Sequence, residues 1–102
     1  MTVDEHIAKA FSALQNVSAR ELEATAEALT SRRHPLHDFA GVFRDVAYSR
    51  QDGSDPRLAR FHVRQAVDRA DDDLLKRIAD AEAPFWVHVR DAVLARQEEQ
   101  VA

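Results

Sequence analysis

Three arginines, Arg57, Arg60 and Arg64, are spaced three and four positions apart, and they have the clearest potential for binding chemistry. At 100° per residue these positions fall within about 60° of one another, so they share one face of a helix. Planar guanidinium groups bind carboxylates and phosphates through paired hydrogen bonds. Phe61 lies beside this stripe, and an aromatic ring among arginines is typical of contact surfaces. We therefore expect Arg57, Arg60, Phe61 and Arg64 to bind a partner protein with an acidic surface.

The same helix offers an alternative function, because Arg57 and His62 place a cation and an acid–base group five positions apart. In this interval the segment resembles RNases of the HEPN family, which are small helical bundles. The resemblance implies that His62 acts as a general acid or base and that Arg57 stabilises the phosphorane charge, usually across a dimer. Leu58 stands where a polar residue usually follows the arginine. The alternative is thus a nucleic-acid-binding or RNA-cleaving bundle that uses His62 with Arg57, Arg60 and Arg64.

The five histidines raise a further alternative, a metal-binding bundle. His34 and His37 have H-x-x-H spacing, and His88 and Asp91 are three positions apart on a predicted helix. The chain has no cysteine and no Glu-x-x-His pair, so the carboxylate-rich pattern of di-iron bundles is absent. We expect no metal and no cofactor. The sequence also has no glycine-rich phosphate loop and no nucleophile elbow, and we assign no catalytic residue.

A second aromatic segment follows Pro84, where Phe85, Trp86 and Val87 point in three directions from one helical turn. Not all of these side chains can face one small core, and aromatic residues are enriched in interface cores. Of the hydrophobic residues, 18 are alanine, which buries little area. These features predict a homodimer that self-associates through one helical face, formed by Phe85, Trp86, Val89 and Val93. The alternative is a central helix packed on two sides.

Length and charge limit the remaining classes. A chain of 102 residues fits one domain, and a net charge of -4 argues against bulk electrostatic binding to nucleic acid or anionic lipid. The middle of the chain is basic, and both flanks are acidic. No stretch approaches the roughly 20 apolar residues of a membrane span, and the first residues lack the apolar core of a signal segment. We expect a cytoplasmic protein that does not bind membranes.

The apolar periodicity is helical throughout, which predicts an all-α fold, a compact bundle of five or six short helices. Ser18 and Glu21 have capping-box spacing, so a helix is expected to begin there. Pro35 ends that helix, and His37 or Asp38 is the expected N-cap of the next. Asp55 before Pro56 predicts the start of a further helix.

The sequence also gives expectations for the last third of the chain. An aspartate of the Asp71–Asp73 run is expected to cap a fifth helix, although the apolar spacing also permits one continuous helix to Ala81. Pro84 begins the last helix. The final residues, 96–102, are expected to fray.

Overall fold

The computed structural model describes residues 1–69 and 72–101, and every regular element in that part of the chain is helical. The all-α prediction, with five or six short helices, is therefore confirmed. A short 3-10 turn at His37–Phe39 precedes the third helix. The six α-helices of the described residues are α1 (Val3–Leu14), α2 (Ala19–Leu29), α3 (Ala40–Asp52), α4 (Arg57–Asp68), α5 (Asp72–Ile78) and α6 (Pro84–Val101).

The helices group into two compact units, and the helix α4 carries residues of both. Unit 1 combines Met1–Asn16 with Val63–Ala102, and unit 2 is the segment Val17–His62. The expectation of a single domain stays a prediction.

Unit 1 is built on α1 and α6, which pack against each other, while α5 packs against α6. The rings of Phe11 and Phe85 meet edge to face with centroids 5.7 Å apart, and Trp86 stands edge to face with Phe85 at 4.8 Å. Such edge-to-face pairs add to the free energy of burial. The buried apolar side chains of unit 1 are Val3, Ile7, Ala10, Leu14, Val63, Val67, Leu74, Ile78, Phe85, Trp86, Val89, Ala92 and Val93.

Unit 2 is built on α2 and α3, with the 3-10 turn packed against both. Phe39 ends that turn and is fully buried. The other buried apolar side chains of this unit are Leu22, Ala26, Leu29, Leu36, Ala40, Val42, Phe43, Val46, Ala47 and Ala59.

Two helices begin with side-chain caps of the same type. The Glu21 amide donates to the Ser18 hydroxyl at 3.1 Å, which confirms the predicted start of α2. Thr2 and Glu5 form a complete capping box at the start of α1. Sequence reasoning missed this second cap, although T-V-D-E has the same spacing as S-A-R-E.

The expected cap of the third helix is wrong. His37 and Asp38 lie inside the 3-10 turn, and α3 continues directly from it at Ala40. The helix ends at Asp52, and the C-cap Gly53 has a φ of 74°, the left-handed conformation that favours glycine. The Asp52 carboxylate accepts a 2.9 Å hydrogen bond from the Ser54 amide in the turn that follows, and hydrogen bonds from Ser54 lower the Asp52 pKa below its ordinary value.

The later boundaries agree with the sequence in part. Helix α4 begins at Arg57, one residue after Pro56, and α6 begins at Pro84 as predicted. The aspartate cap proposed within 71–73 depends on residues outside the described part of the chain. Helix α6 extends to Val101, and the expected fraying of 96–102, which reaches past the described residues, stays a prediction.

Candidate functional site

The first turn of α4 is fixed from two sides. Pro56 directly precedes the helix, and its carbonyl oxygen accepts a 3.1 Å hydrogen bond from the Arg60 amide. The Ala59 amide donates to Asp45 Oδ2 of α3 at 2.9 Å. A carboxylate on a neighbouring helix therefore bonds one of the amides that a helix start leaves without an intrahelical partner.

The Asp55 carboxylate, which the sequence suggested as this cap, lies against two arginines. It pairs with the Arg60 guanidinium and lies 3.6 Å from Arg57 Nε. The pairs differ in their surroundings, because the Arg57 side chain is 86% exposed and the Arg60 side chain is 45% exposed. Arg57 is thus the arginine of this turn that extends furthest into solvent.

Arg64 is held by acidic groups of its own unit. Its Nη1 lies 2.5 Å from Asp4 Oδ1, and its Nε lies 3.2 Å from an Asp68 carboxylate oxygen. Arg96 also contacts Asp68, at 3.4 Å. Burial alone would lower the Arg64 pKa, but the hydrogen bond with Asp68 and the charge of Asp4 outweigh burial and raise it. The third member of the predicted stripe therefore has two carboxylate partners inside unit 1.

Two large apolar side chains of α4 face solvent. Leu58 is 76% exposed and Phe61 is 61% exposed. They are three positions apart, and Arg57 lies four positions before Phe61, so the three side chains are neighbours on the helix surface. We call Arg57, Leu58 and Phe61 the α4 surface. The sequence predicts Arg57 and Phe61 as contact residues, but not Leu58.

Beside the α4 surface, unit 2 has a depression of about 240 Å³ between α3 and the start of α4. Its lining combines two carboxylates and an imidazole with small or apolar groups: Asp38, Gly41, Val42, Asp45, Leu58, Ala59 and His62. The His62 ring stands edge to face on Phe39, with centroids 5.5 Å apart. We call this lining the acidic depression. It was not predicted, because its carboxylates come from positions that are distant from α4 in sequence.

The two residues of the RNase-like alternative diverge on α4. Five positions correspond to about 140° around a helix and about 7.5 Å along it. Arg57 extends into solvent near Asp55, whereas His62 contacts Phe39 and lines the acidic depression. The RNA-cleaving alternative stays a prediction.

A second surface hollow in unit 2 has a polar lining. Glu23 and Glu27 of α2 face Arg44 and Tyr48 of α3 around a hollow of about 230 Å³. Gln51 donates to Glu23 at 3.4 Å beside it. Tyr48 is 60% exposed, nearly the same as Phe61, so it is a matched control for aromatic exposure in the same unit.

The residues predicted for self-association lie in the interior of unit 1. Phe85, Val89 and Val93 are buried, and Trp86 is only 8% exposed. The apolar positions of α1 cover this face of α6 within one chain. Self-association itself stays a prediction, but these four side chains do not form an exposed surface.

Two histidines of the metal alternative, His34 and His37, have local partners. The Leu36 amide donates to His34 Nδ1 at 3.1 Å, and His37 Nδ1 lies 3.3 Å from the His34 carbonyl oxygen. These contacts shape the turn between α2 and α3. Across residues 1–69 and 72–101, no three His, Cys, Asp or Glu side chains come together in an arrangement suited to a metal ion.

Among the helices of the described residues, none has the length and apolar character needed to cross a bilayer. Comparisons of the chain with models of known protein families, with curated proteins and with solved structures found no match.

Proposed function

We propose that this protein is a small helical interaction and regulatory module that binds an acidic partner protein through the α4 surface. The observation that carries the proposal is the exposure of Leu58 and Phe61 beside Arg57. Covering such apolar groups lowers the free energy by about 25 cal/mol per Å² of apolar surface removed from water. An adjacent arginine adds a charged contact that selects a carboxylate. Apolar and cationic groups in one patch fit a protein surface.

The arrangement of charges favours a protein over a nucleic acid. Asp55 lies between Arg57 and Arg60, and Arg64 already contacts Asp4 and Asp68. A phosphate chain that followed this row of arginines would meet these carboxylates. Nucleic-acid binding needs several uncompensated cations, since each phosphate contact contributes through counterion release. Arg57, the most exposed of these arginines, stands next to two apolar side chains, and this is the poorer match to that requirement.

The experiment compares recovery of partners by the full chain and by three variants. Phe61→Ser and Arg57→Glu change the α4 surface, and Tyr48→Ser removes an equally exposed aromatic ring elsewhere in unit 2. We expect one acidic protein to be retained by the wild type and by Tyr48→Ser. Its affinity should fall by about 2 kcal/mol, or roughly 30-fold, in Phe61→Ser, because exposed aromatic side chains are common binding hot spots.

The Arg57→Glu variant tests whether the positive charge of the α4 surface contributes to partner binding. With purified partner, this reversal should weaken binding, and salt should weaken the wild-type complex more than the Arg57→Glu complex. Equal recovery by all variants would reject the α4 surface as the binding site. Recovery of RNA alone, lost after nuclease treatment, would reject the protein-binding proposal in favour of the alternative.

Self-association and cytoplasmic location are further parts of the proposal. The alanine-rich composition supports self-association, because a thin core gains stability when subunits pair. A dimer built on Phe85, Trp86, Val89 and Val93 requires unit 1 to open, so dilution should unfold it. Sedimentation combined with circular dichroism decides this, since a dimer that separates into folded monomers contradicts pairing through those residues. The cysteine-free composition agrees with a reducing compartment such as the cytoplasm. Cell fractionation tests the proposed cytoplasmic location.

A further inference from the structure

We propose that the acidic depression binds one basic side chain, an arginine or a lysine, of the same partner that covers the α4 surface. The inference rests on the proposed function and names a second contact of that partner. Leu58 belongs to both sites, so a segment that crosses α4 at Leu58 reaches the depression next.

The size of the depression suits a single side chain. Its volume of about 240 Å³ lies below the roughly 300–1,000 Å³ of small-molecule and cofactor sites. Gly41 contributes no side chain, and a Cβ added there would meet no atom within 4 Å. Val42 is buried beneath it. The aliphatic part of a long side chain can therefore lie over apolar atoms while its head reaches the carboxylates.

The charge of the lining selects a cation. Asp38 and Asp45 are among the lining residues, and no arginine or lysine is. Asp45 Oδ2 is oriented by its hydrogen bond from the Ala59 amide, which fixes the carboxylate in the wall. A guanidinium or ammonium head forms charge-assisted hydrogen bonds with such groups. An acidic side chain would be repelled, and an apolar one would remove water from the carboxylates without replacing its hydrogen bonds.

The α4 surface and the acidic depression therefore require opposite charges on the partner. At 100° per residue, Arg57 lies on one side of Leu58 on the helix, and Ala59 and His62, which line the depression with Asp38 and Asp45, lie on the other. A matching partner segment presents an acidic group, then apolar groups, then a basic group across α4. This order of charges fixes the direction in which the segment crosses the helix, because the reverse direction opposes like charges at both ends.

The test uses a small probe, so it does not depend on isolating the partner. N-acetyl-arginine methylamide is titrated into the full-length protein while amide resonances are followed by NMR, and the citrulline analogue is the uncharged control of the same shape. We expect saturable shifts at Gly41, Val42, Leu58 and His62 with the arginine probe. The citrulline probe should bind at least about fivefold more weakly, because it lacks the charge that the carboxylates select.

Gly41→Leu is the blocking variant, since its side chain would occupy the depression, and circular dichroism confirms that it folds. Gly41→Leu should abolish the saturable shifts, and Asp38→Asn should weaken them, whereas Tyr48→Ser should leave them unchanged. Equal binding of both probes, or unchanged binding by Gly41→Leu, would overturn the proposal. The absence of saturable shifts would also overturn it. Partner binding that depends on Phe61 but not on Gly41 would reject only this inference, whereas probe binding without a Phe61-dependent partner would reject the proposed function.

Discussion

Two aromatic segments of this chain, one around Phe61 and one around Phe85 and Trp86, have opposite environments. Each places large apolar side chains on a helix near arginine or histidine, and each is a candidate interface in the sequence. Phe61 faces solvent at 61% exposure, whereas Phe85 and Trp86 are buried against α1 and each other. The difference lies in the neighbouring elements. Helix α6 packs against α1 and α5 in unit 1, whereas Leu58 and Phe61 of α4 remain exposed.

The largest expected effect is a difference in the free energy of unfolding between substitutions in these two segments. Phe85→Ala should lower the free energy of unfolding by about 3–5 kcal/mol, because it leaves a cavity among the packed rings. Phe61→Ser should change it by less than about 0.5 kcal/mol, since its ring is mostly in water. Urea denaturation followed by circular dichroism measures both. Equal destabilisation by the two variants would mean that Phe61 belongs to a core.

A smaller effect concerns what holds the exposed half of α4 in place. Asp45→Ala should cost about 0.5–2 kcal/mol, as expected for loss of a helix cap, because the Ala59 amide loses its carboxylate. Asp55→Ala is the matched control, and we expect about 0–1 kcal/mol because its pairs are solvent-exposed. The same denaturation assay compares them. If Asp55→Ala is the more damaging variant, the cap is local, as the sequence first suggested.

Alanine substitutions at the two glycines should change the stability of the protein in opposite directions. Gly41→Ala should stabilise the protein by about 0.5–1 kcal/mol, because alanine favours helix and its Cβ meets no atom within 4 Å. Gly53→Ala should destabilise by about 1 kcal/mol, since a φ of 74° is unfavourable for residues with a Cβ. Thermal unfolding measures both shifts. A destabilising Gly41→Ala would show that the acidic depression is already filled in the free protein.

The smallest effect lies in the turn that leads into α4. Ser54→Ala should raise the Asp52 pKa part of the way towards its ordinary value, because it removes the side-chain hydrogen bond that lowers the pKa most and keeps the one from the amide. A lowered folded-state pKa means that the contribution to stability is present at neutral pH and is lost as the pH falls below about 4, through the lowered pKa. NMR titration of the Asp52 carboxyl carbon measures the shift. An unchanged pKa in Ser54→Ala would show that another group orders this turn.

Local patterns in the sequence predicted most of the helices and little of the site. The cap at Ser18 and the starts near Pro56 and Pro84 depend on residues within one turn of the boundary, whereas α2 already ends at Leu29, six positions before Pro35. The cap from Asp45 and the lining of the acidic depression depend on pairs that are more than ten positions apart. Periodicity defines the face of a helix but not the element that covers it. For this reason the sequence predicted Trp86 in a dimer interface, with a central helix as the alternative, and did not predict the exposure of Leu58.

The most direct test of the central claim places a photoreactive benzoyl-phenylalanine at position 61 in the full chain in cells. Position 48, where Tyr48 has almost the same exposure, is the matched site. We expect one adduct at position 61, to an acidic protein, that is lost when Arg57→Glu is added and is absent at position 48. Adducts of the same proteins at both positions, or none at position 61, would contradict it.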